Sequence, residues 1–167
     1  MMIRTAAEQD FPGFLDLASQ VEQWFGPMVE VPGFHDAVRA HLRASMALVA
    51  VDPGPTSPGP GPSPGPGPDL LGGLLFGAEP PAHHVHWLVV SDRARGKGVG
   101  RALMADATRR WVRGPGRIEV VTFGADHPGA AASGARVFYE RLGFLPAEPA
   151  EPGPEGGSRQ VFRRTVA

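Results

Sequence analysis

The chain has 167 residues, 42% of them hydrophobic, a formal net charge of −1 and no cysteine. That length fits one domain, and that apolar fraction can bury a sizeable core. The near-neutral charge removes any bulk electrostatic case for nucleic acid or an anionic membrane. The missing cysteines exclude a disulfide framework, a thiolate nucleophile and a cysteine-ligated metal.

No apolar run approaches the ~20 residues that span a bilayer. The first residues, Met1-Met2-Ile3-Arg4, lack the apolar core of a signal peptide. A cytoplasmic protein is the expectation. Residues 2–6 read as a short first strand. Asp10 is placed to cap a helix with Pro12 in its first turn, and Phe14, Leu17, Val21 and Trp24 or Phe25 recur at helical spacing. Gly26-Pro27 ends that helix. A second helix follows Pro32, with Phe34, Ala37, Val38 and Leu42 on one face, and 46–51 reads as a strand.

Residues 52–69 are Pro-Gly-Thr/Ser low complexity. Proline removes donors, glycine raises the cost of ordering, and nothing apolar is there to bury. The stretch reads as an expanded loop between two strands of one sheet, inside a single domain covering 1–167. Residues 70–76 resume the sheet, with Gly72-Gly73 suggesting a bulge or bend.

Residues 84–90 read as a buried strand. It leads through Ser91-Asp92-Arg93-Ala94 into Arg95-Gly96-Lys97-Gly98-Val99-Gly100-Arg101 and a helix over 99–112. Glycine lets the backbone approach an anion, the first helical N–H groups have no partners of their own, and the helix dipole adds to the attraction. This predicts a diphosphate site at the helix entrance. The dinucleotide fingerprint fails because Leu103 stands where its third glycine is needed. The nucleoside-triphosphate loop fails because Gly98, not a hydroxyl residue, follows Gly96-Lys97. After the helix, 117–123 reads as a strand and 129–142 as one helix with Ala135, Phe138 and Leu142 on a face. Gly143 is set to be its left-handed cap. The last strands are expected at 144–147 and 159–166, around a second Pro/Gly-rich loop.

Arg95-x-x-Gly98-x-Gly100, directly after an apolar strand, resembles the acetyl-CoA signature of the GNAT superfamily of N-acetyltransferases. The element order β-α-α-β-β-β-α-β-α-β-β is similar to that family's α/β (α+β) fold, a mixed, splayed sheet with helices on both faces. The resemblance implies acetyl-CoA as cosubstrate. It places the diphosphate on backbone N–H groups of Arg95, Gly96, Lys97, Gly98, Val99, Gly100 and Arg101. It also implies that Leu88, Val89 and Val90 pair by their backbone with the pantetheine arm.

Acetyl transfer to an amine needs a base for the ammonium and an acid for the departing thiolate. His84 and His86 lie two apart on a strand and share a face, with a reference pKa of about 6.5. They resemble the His-x-His pair of arylalkylamine N-acetyltransferases, which works through water. Tyr139 stands in Phe138-Tyr139-Glu140-Arg141-Leu142-Gly143-Phe144, similar to the family's Tyr-x-x-x-Gly-Phe, and is the candidate acid. Many members carry an asparagine seven residues before that tyrosine. Ala132 stands there in this chain, with Ser133 beside it as a weak substitute. No metal site is expected: His83 falls on the opposite face from His84 and His86, His127 is isolated before Pro128, and His35 and His41 read as solvated or half-buried helix residues.

The leading expectation is an N-acetyltransferase acting on a small primary amine. Two alternatives stand beside it: acetylation of a protein N-terminus or lysine, and a non-catalytic acyl-CoA-binding sensor. No nucleic-acid or membrane partner is expected, and a homodimer is an option because such proteins often dimerise.

Overall fold

The computed structural model describes residues 1–52, 69–153 and 156–167. Its strands are β1 (Met2–Thr5), β2 (Ala47–Val51), β3 (Leu70–Glu79), β4 (Ala82–Val90), β5 (Gly116–Phe123), β6 (Leu145–Ala150) and β7 (Arg159–Val166). Its helices are α1 (Phe11–Ser19), α2 (Glu22–Phe25), α3 (Pro32–Arg43), α4 (Val99–Trp111), α5 (Pro128–Ser133) and α6 (Ala135–Arg141). Among the described residues the strands form one sheet in the order β1-β2-β3-β4-β5-β7-β6. This is the expected mixed α/β architecture with helices on both faces. Most of the Pro/Gly stretch at 52–69 lies outside the described residues.

The sheet is antiparallel except where β4 runs parallel to β5. That pairing covers only Ala82–Val85 against Arg117–Val120. Beyond Val85 the β5-facing side of β4 has no strand partner, so the sheet opens there. A bulge at His86 adds to the divergence: Leu75 pairs Trp87 while Phe76 pairs Val85. One extra residue flips the alternation. Val85, Leu88 and Val90 pack on the α4 side, and Trp87 and Val89 on the α1–α3 side.

Each face has its own apolar layer. Helix α4 buries Val99, Leu103, Met104 and Ala107 against β2, β3 and β4. Full burial of Leu103 alone contributes about 2 kcal/mol. On the other face α1 and α3 bury Phe14, Leu17, Val38 and Leu42. Strand β2, covered on both faces, is buried throughout. Gly72 and Gly73 let the two layers close in. A Cβ on Gly72 would lie 2.9 Å from Val99 of α4, and one on Gly73 2.8 Å from Phe14 of α1. The cationic face of α4 is engaged locally: Arg109 and Arg110 pair with the buried carboxylate of Asp106.

Three local expectations are corrected. Asp10 does not cap α1. Its buried carboxylate accepts the Ala7 N–H at 2.8 Å and two Arg4 N–H groups at 2.8 and 2.9 Å, closing the single 3-10 turn before α1. The helix expected across 11–25 breaks after Ser19 and restarts as α2, ending at Gly26 with φ +90°. The helix expected over 129–142 breaks at Gly134, φ +70°, into α5 and α6. An alanine-rich run hides that break, because only the glycine's backbone conformation makes it. Gly143, φ +92°, ends α6 in the left-handed conformation as expected. No helix among the described residues is long and apolar enough to cross a membrane.

Candidate functional site

The strand-to-helix turn after β4 is built on two left-handed glycines. Gly96 has φ +76°, and Gly98 has φ +81° at the cap position of α4. Both conformations are costly for residues with a Cβ. At both positions a Cβ would meet open space, so the turn leaves its backbone uncovered on that side. The first intrahelical bond runs from Ala102 N–H to Gly98 O, and the N–H groups of 99–101 belong to the unpaired first turn. Gly100 is needed for contact: a Cβ there would lie 2.8 Å from the Phe138 ring of α6.

A cavity of about 720 Å³ runs from this turn along the open side of β4 to α6. Leu88, Val89, Val90, Arg95, Gly96, Gly98, Val99, Gly100, Arg101, Ser133 and Tyr139 all line it. Lys97 is exposed and does not. Helix α2 closes over one side through Trp24 and Phe25, and the Arg95 guanidinium lies 5.1 Å above the Trp24 ring. Ser133 accepts the Ala135 N–H at 3.2 Å across the helix break, while Ala132 is exposed.

A second cavity, about 220 Å³, lies on the other side of the opening. Phe25, Pro27, Met28, His86, Trp87, Val121 and Thr122 form most of its wall. The two cavities share Phe25, Leu88, Val89, Ala135 and Tyr139, so they meet where β4 and β5 part. Glu22 shapes the second cavity: its carboxylate accepts the N–H groups of Met28 and Val29 at 2.6 and 3.1 Å. Sequence reasoning passed over Glu22 and read Phe25 only as an apolar helix residue; the Phe25 ring stacks on Phe123 with centroids 4.5 Å apart.

Tyr139 is buried between Phe138, Phe144 and Phe162, yet lines both cavities. Burial pushes its phenol above the ordinary value of 10, so it stays protonated near neutrality. His84 and His86 share a face, ring centroids 6.0 Å apart and nearly parallel. His86 lines the smaller cavity; His84 lines neither. Partial burial holds the His86 pKa below the ordinary 6.5, His41 and His84 lower it further, and Glu79 opposes them.

Three other histidines take defined places. His83 is buried on the opposite face and stacks on Phe76. His127, read as isolated, caps α5 by accepting the Gly129 N–H at 2.8 Å. His41, read as a half-buried helix residue, reaches from α3 to His86 Nδ1 at 2.8 Å. No cluster of three or more His, Cys, Asp or Glu side chains among the described residues is arranged to hold a metal.

Residues 69–146 match the family model of the acetyltransferase (GNAT) domain. Over that stretch the chain resembles a GNAT acetyltransferase domain. The GNAT enzymes are acyltransferases that use acetyl-CoA as cosubstrate. The NatC complex bound to Gag peptide and CoA is similar over 99% of this chain and 98% of the matched one, with TM-score 0.69 and 16% identity. The ribosomal-protein-alanine N-acetyltransferase from Brucella melitensis is similar over 99% and 100%, with TM-score 0.65 and 20% identity. The PaiA N-acetyltransferase from Thermoplasma acidophilum in complex with coenzyme A is similar over 99% and 98%, with TM-score 0.66 and 11% identity. Among curated proteins none matches the sequence. The residues present suit a CoA ester: uncovered backbone at the two left-handed glycines, arginines at the mouth, and an elongated apolar channel beyond.

Proposed function

We propose that this chain is a GNAT N-acetyltransferase that acetylates a primary amine on a small molecule, which enters through the smaller cavity. The observation that carries the reading is the meeting of the two cavities at Tyr139, one reaching the glycine turn and the other reaching His86. Acetyl-CoA supplies an acetyl group activated as a thioester. The backbone N–H groups of the turn from Arg95 to Arg101, with the dipole of α4, hold the diphosphate. The unpartnered edge of β4 at Leu88, Val89 and Val90 offers the N–H and C=O groups of an added strand to the pantetheine amides. The same edge, dry and preorganised, supplies donors to a carbonyl that gains negative charge.

His86 Nε2 takes the proton of the acceptor ammonium, directly or through one water, and His84 stands behind it as a partner on the same face. Tyr139 Oη keeps its proton at neutral pH and delivers it to the leaving sulfur. The acceptor cavity is lined mostly by apolar and aromatic side chains, with His86, Thr122 and Arg159 and with no carboxylate among the described residues, which suits an amine on an uncharged aliphatic or aromatic body.

One observation favours a second reading. Of the solved structures that this fold resembles, one is by name a ribosomal-protein-alanine N-acetyltransferase and another is a complex bound to a peptide and CoA, and Val121 beside the acceptor cavity is half exposed. That surface would accommodate the first residue of a chain. A screen of small amines against peptides with free N-termini, read by thiol release, separates the two. Turnover confined to peptides overturns the small-molecule reading. Cofactor binding without turnover on either set overturns both and leaves an acyl-CoA sensor.

A further inference from the structure

His41 and His86 lie 45 residues apart in sequence and meet ring to ring. His41 Nδ1 is 2.6 Å from the carbonyl oxygen of Ala37, one helical turn earlier in α3. His41 Nε2 is 2.8 Å from His86 Nδ1. A carbonyl oxygen only accepts, so His41 Nδ1 carries the proton of the first contact. In the neutral ring this leaves His41 Nε2 as an acceptor. His86 Nδ1 must then donate, and the free lone pair of His86 falls on Nε2. Two hydrogen bonds thus transmit one protonation pattern from a backbone carbonyl to the wall of the acceptor cavity.

We infer that His41 is a positioning residue that pins His86 in its Nδ1–H tautomer and so presents His86 Nε2 as the basic atom. This rests on the base assignment proposed above. In the step itself the N–H bond of the acceptor ammonium breaks. The proton goes to His86 Nε2, and the electron pair stays on the amine nitrogen for attack. His86 becomes an imidazolium, and its Nδ1–H bond to His41 becomes charge-assisted and stronger. The interaction is therefore worth more after proton transfer than before it.

Protonating His41 reverses the pattern. Its Nε2–H would donate to His86 Nδ1, the remaining proton of His86 would sit on Nε2, and the base would be lost. The other ionisable groups facing them are His84 on β4 and Glu79 on β3, and Arg159 of β7 lines the same cavity. Strand β5 contributes only Val120, Val121 and Thr122 to that wall.

Histidine ¹⁵N spectra of the whole protein at pH 8, with kinetics on His41→Phe, His41→Gln and His86→Gln, test the inference. The wild type should show His86 protonated at Nδ1. His41→Phe should lose that preference and lower kcat by roughly 10- to 100-fold, the worth of one charge-assisted hydrogen bond. The KM for acetyl-CoA should not change. His41→Gln, whose side-chain oxygen can accept the same hydrogen bond from His86 Nδ1, should restore most of kcat. Wild-type His86 protonated at Nε2, or full kcat in His41→Phe alongside a collapsed His86→Gln, overturns the positioning role. Full kcat in His86→Gln overturns the base assignment and this inference with it, and the tautomer readout tells that failure from the first.

Discussion

Gly77→Ala isolates the position of the His86 ring from everything else in the site. Gly77 sits in β3, and a Cβ built on it would lie 2.5 Å from His86 Cε1 and 2.8 Å from His86 Nε2. Carbon atoms in contact stand about 3.5 Å apart, so the methyl group overlaps the ring by about 1 Å. Gly77 is not in the left-handed region, so alanine costs the backbone nothing, and in a strand it is favoured over glycine. The ring, at the exposed end of a flexible side chain, is what must yield. Moving it by about 1 Å displaces Nε2 and strains the 2.8 Å bond to His41. A misplacement of that size costs on the order of 100-fold in rate, about 2.7 kcal/mol of barrier. Steady-state kinetics should show kcat falling by that factor, calorimetry an unchanged Kd for acetyl-CoA, and thermal melting an unchanged or slightly higher Tm. Unchanged kcat with saturating amine would refute the placement of the base at His86.

Four further outcomes follow from other parts of the molecule. Gly98→Ala places a Cβ at φ +81°, costing about 1–2 kcal/mol of stability, and puts a methyl group on the uncovered side of the turn. Its Kd for acetyl-CoA should rise at least tenfold, and calorimetry checks both effects. Tyr139→Phe should lower kcat by on the order of 100-fold without weakening cofactor binding. Because burial raises the phenol pKa, the wild-type rate should show no alkaline limb from Tyr139 up to pH 10. The lowered His86 pKa sets the acid side: the base is neutral above that pKa, so log(kcat/KM) should begin to fall only below pH 6.5, and His86→Gln should abolish that limb. Asp10→Ala leaves Arg4 and the Ala7 N–H without their partner, and should lower stability by about 3 kcal/mol in urea unfolding while sparing cofactor affinity.

Much of the glycine turn and the larger cavity was legible because it is local. The glycines at 96, 98 and 100, the strand before them and the helix after them are contiguous, and each reports a backbone requirement that a sequence can show. Tyr139 was legible from its spacing to Gly143-Phe144, and the shared face of His84 and His86 from strand alternation. The smaller cavity was not legible, because tertiary contacts make it. The bulge at His86 breaks the period-two reading, so Leu88 and Val90 turn to the face opposite His86. The break at Gly134 is a single backbone conformation inside a run that favours helix. The His41–His86 bond joins α3 to β4 across the fold, and nothing in either local sequence announces it. Asp10 had the right residue type for a cap, but its carboxylate was taken by Arg4 and Ala7.

The account turns on the two cavities meeting at Tyr139, with the diphosphate at the glycine turn and the sulfur at the opening between β4 and β5. A crystal structure of the protein with CoA measures this directly. The account predicts the diphosphate against the N–H groups of 96–101, the pantetheine along Leu88–Val90, and the sulfur within about 3.5 Å of Tyr139 Oη. A diphosphate bound away from that turn, or a sulfur out of hydrogen-bond reach of the phenol, would contradict it.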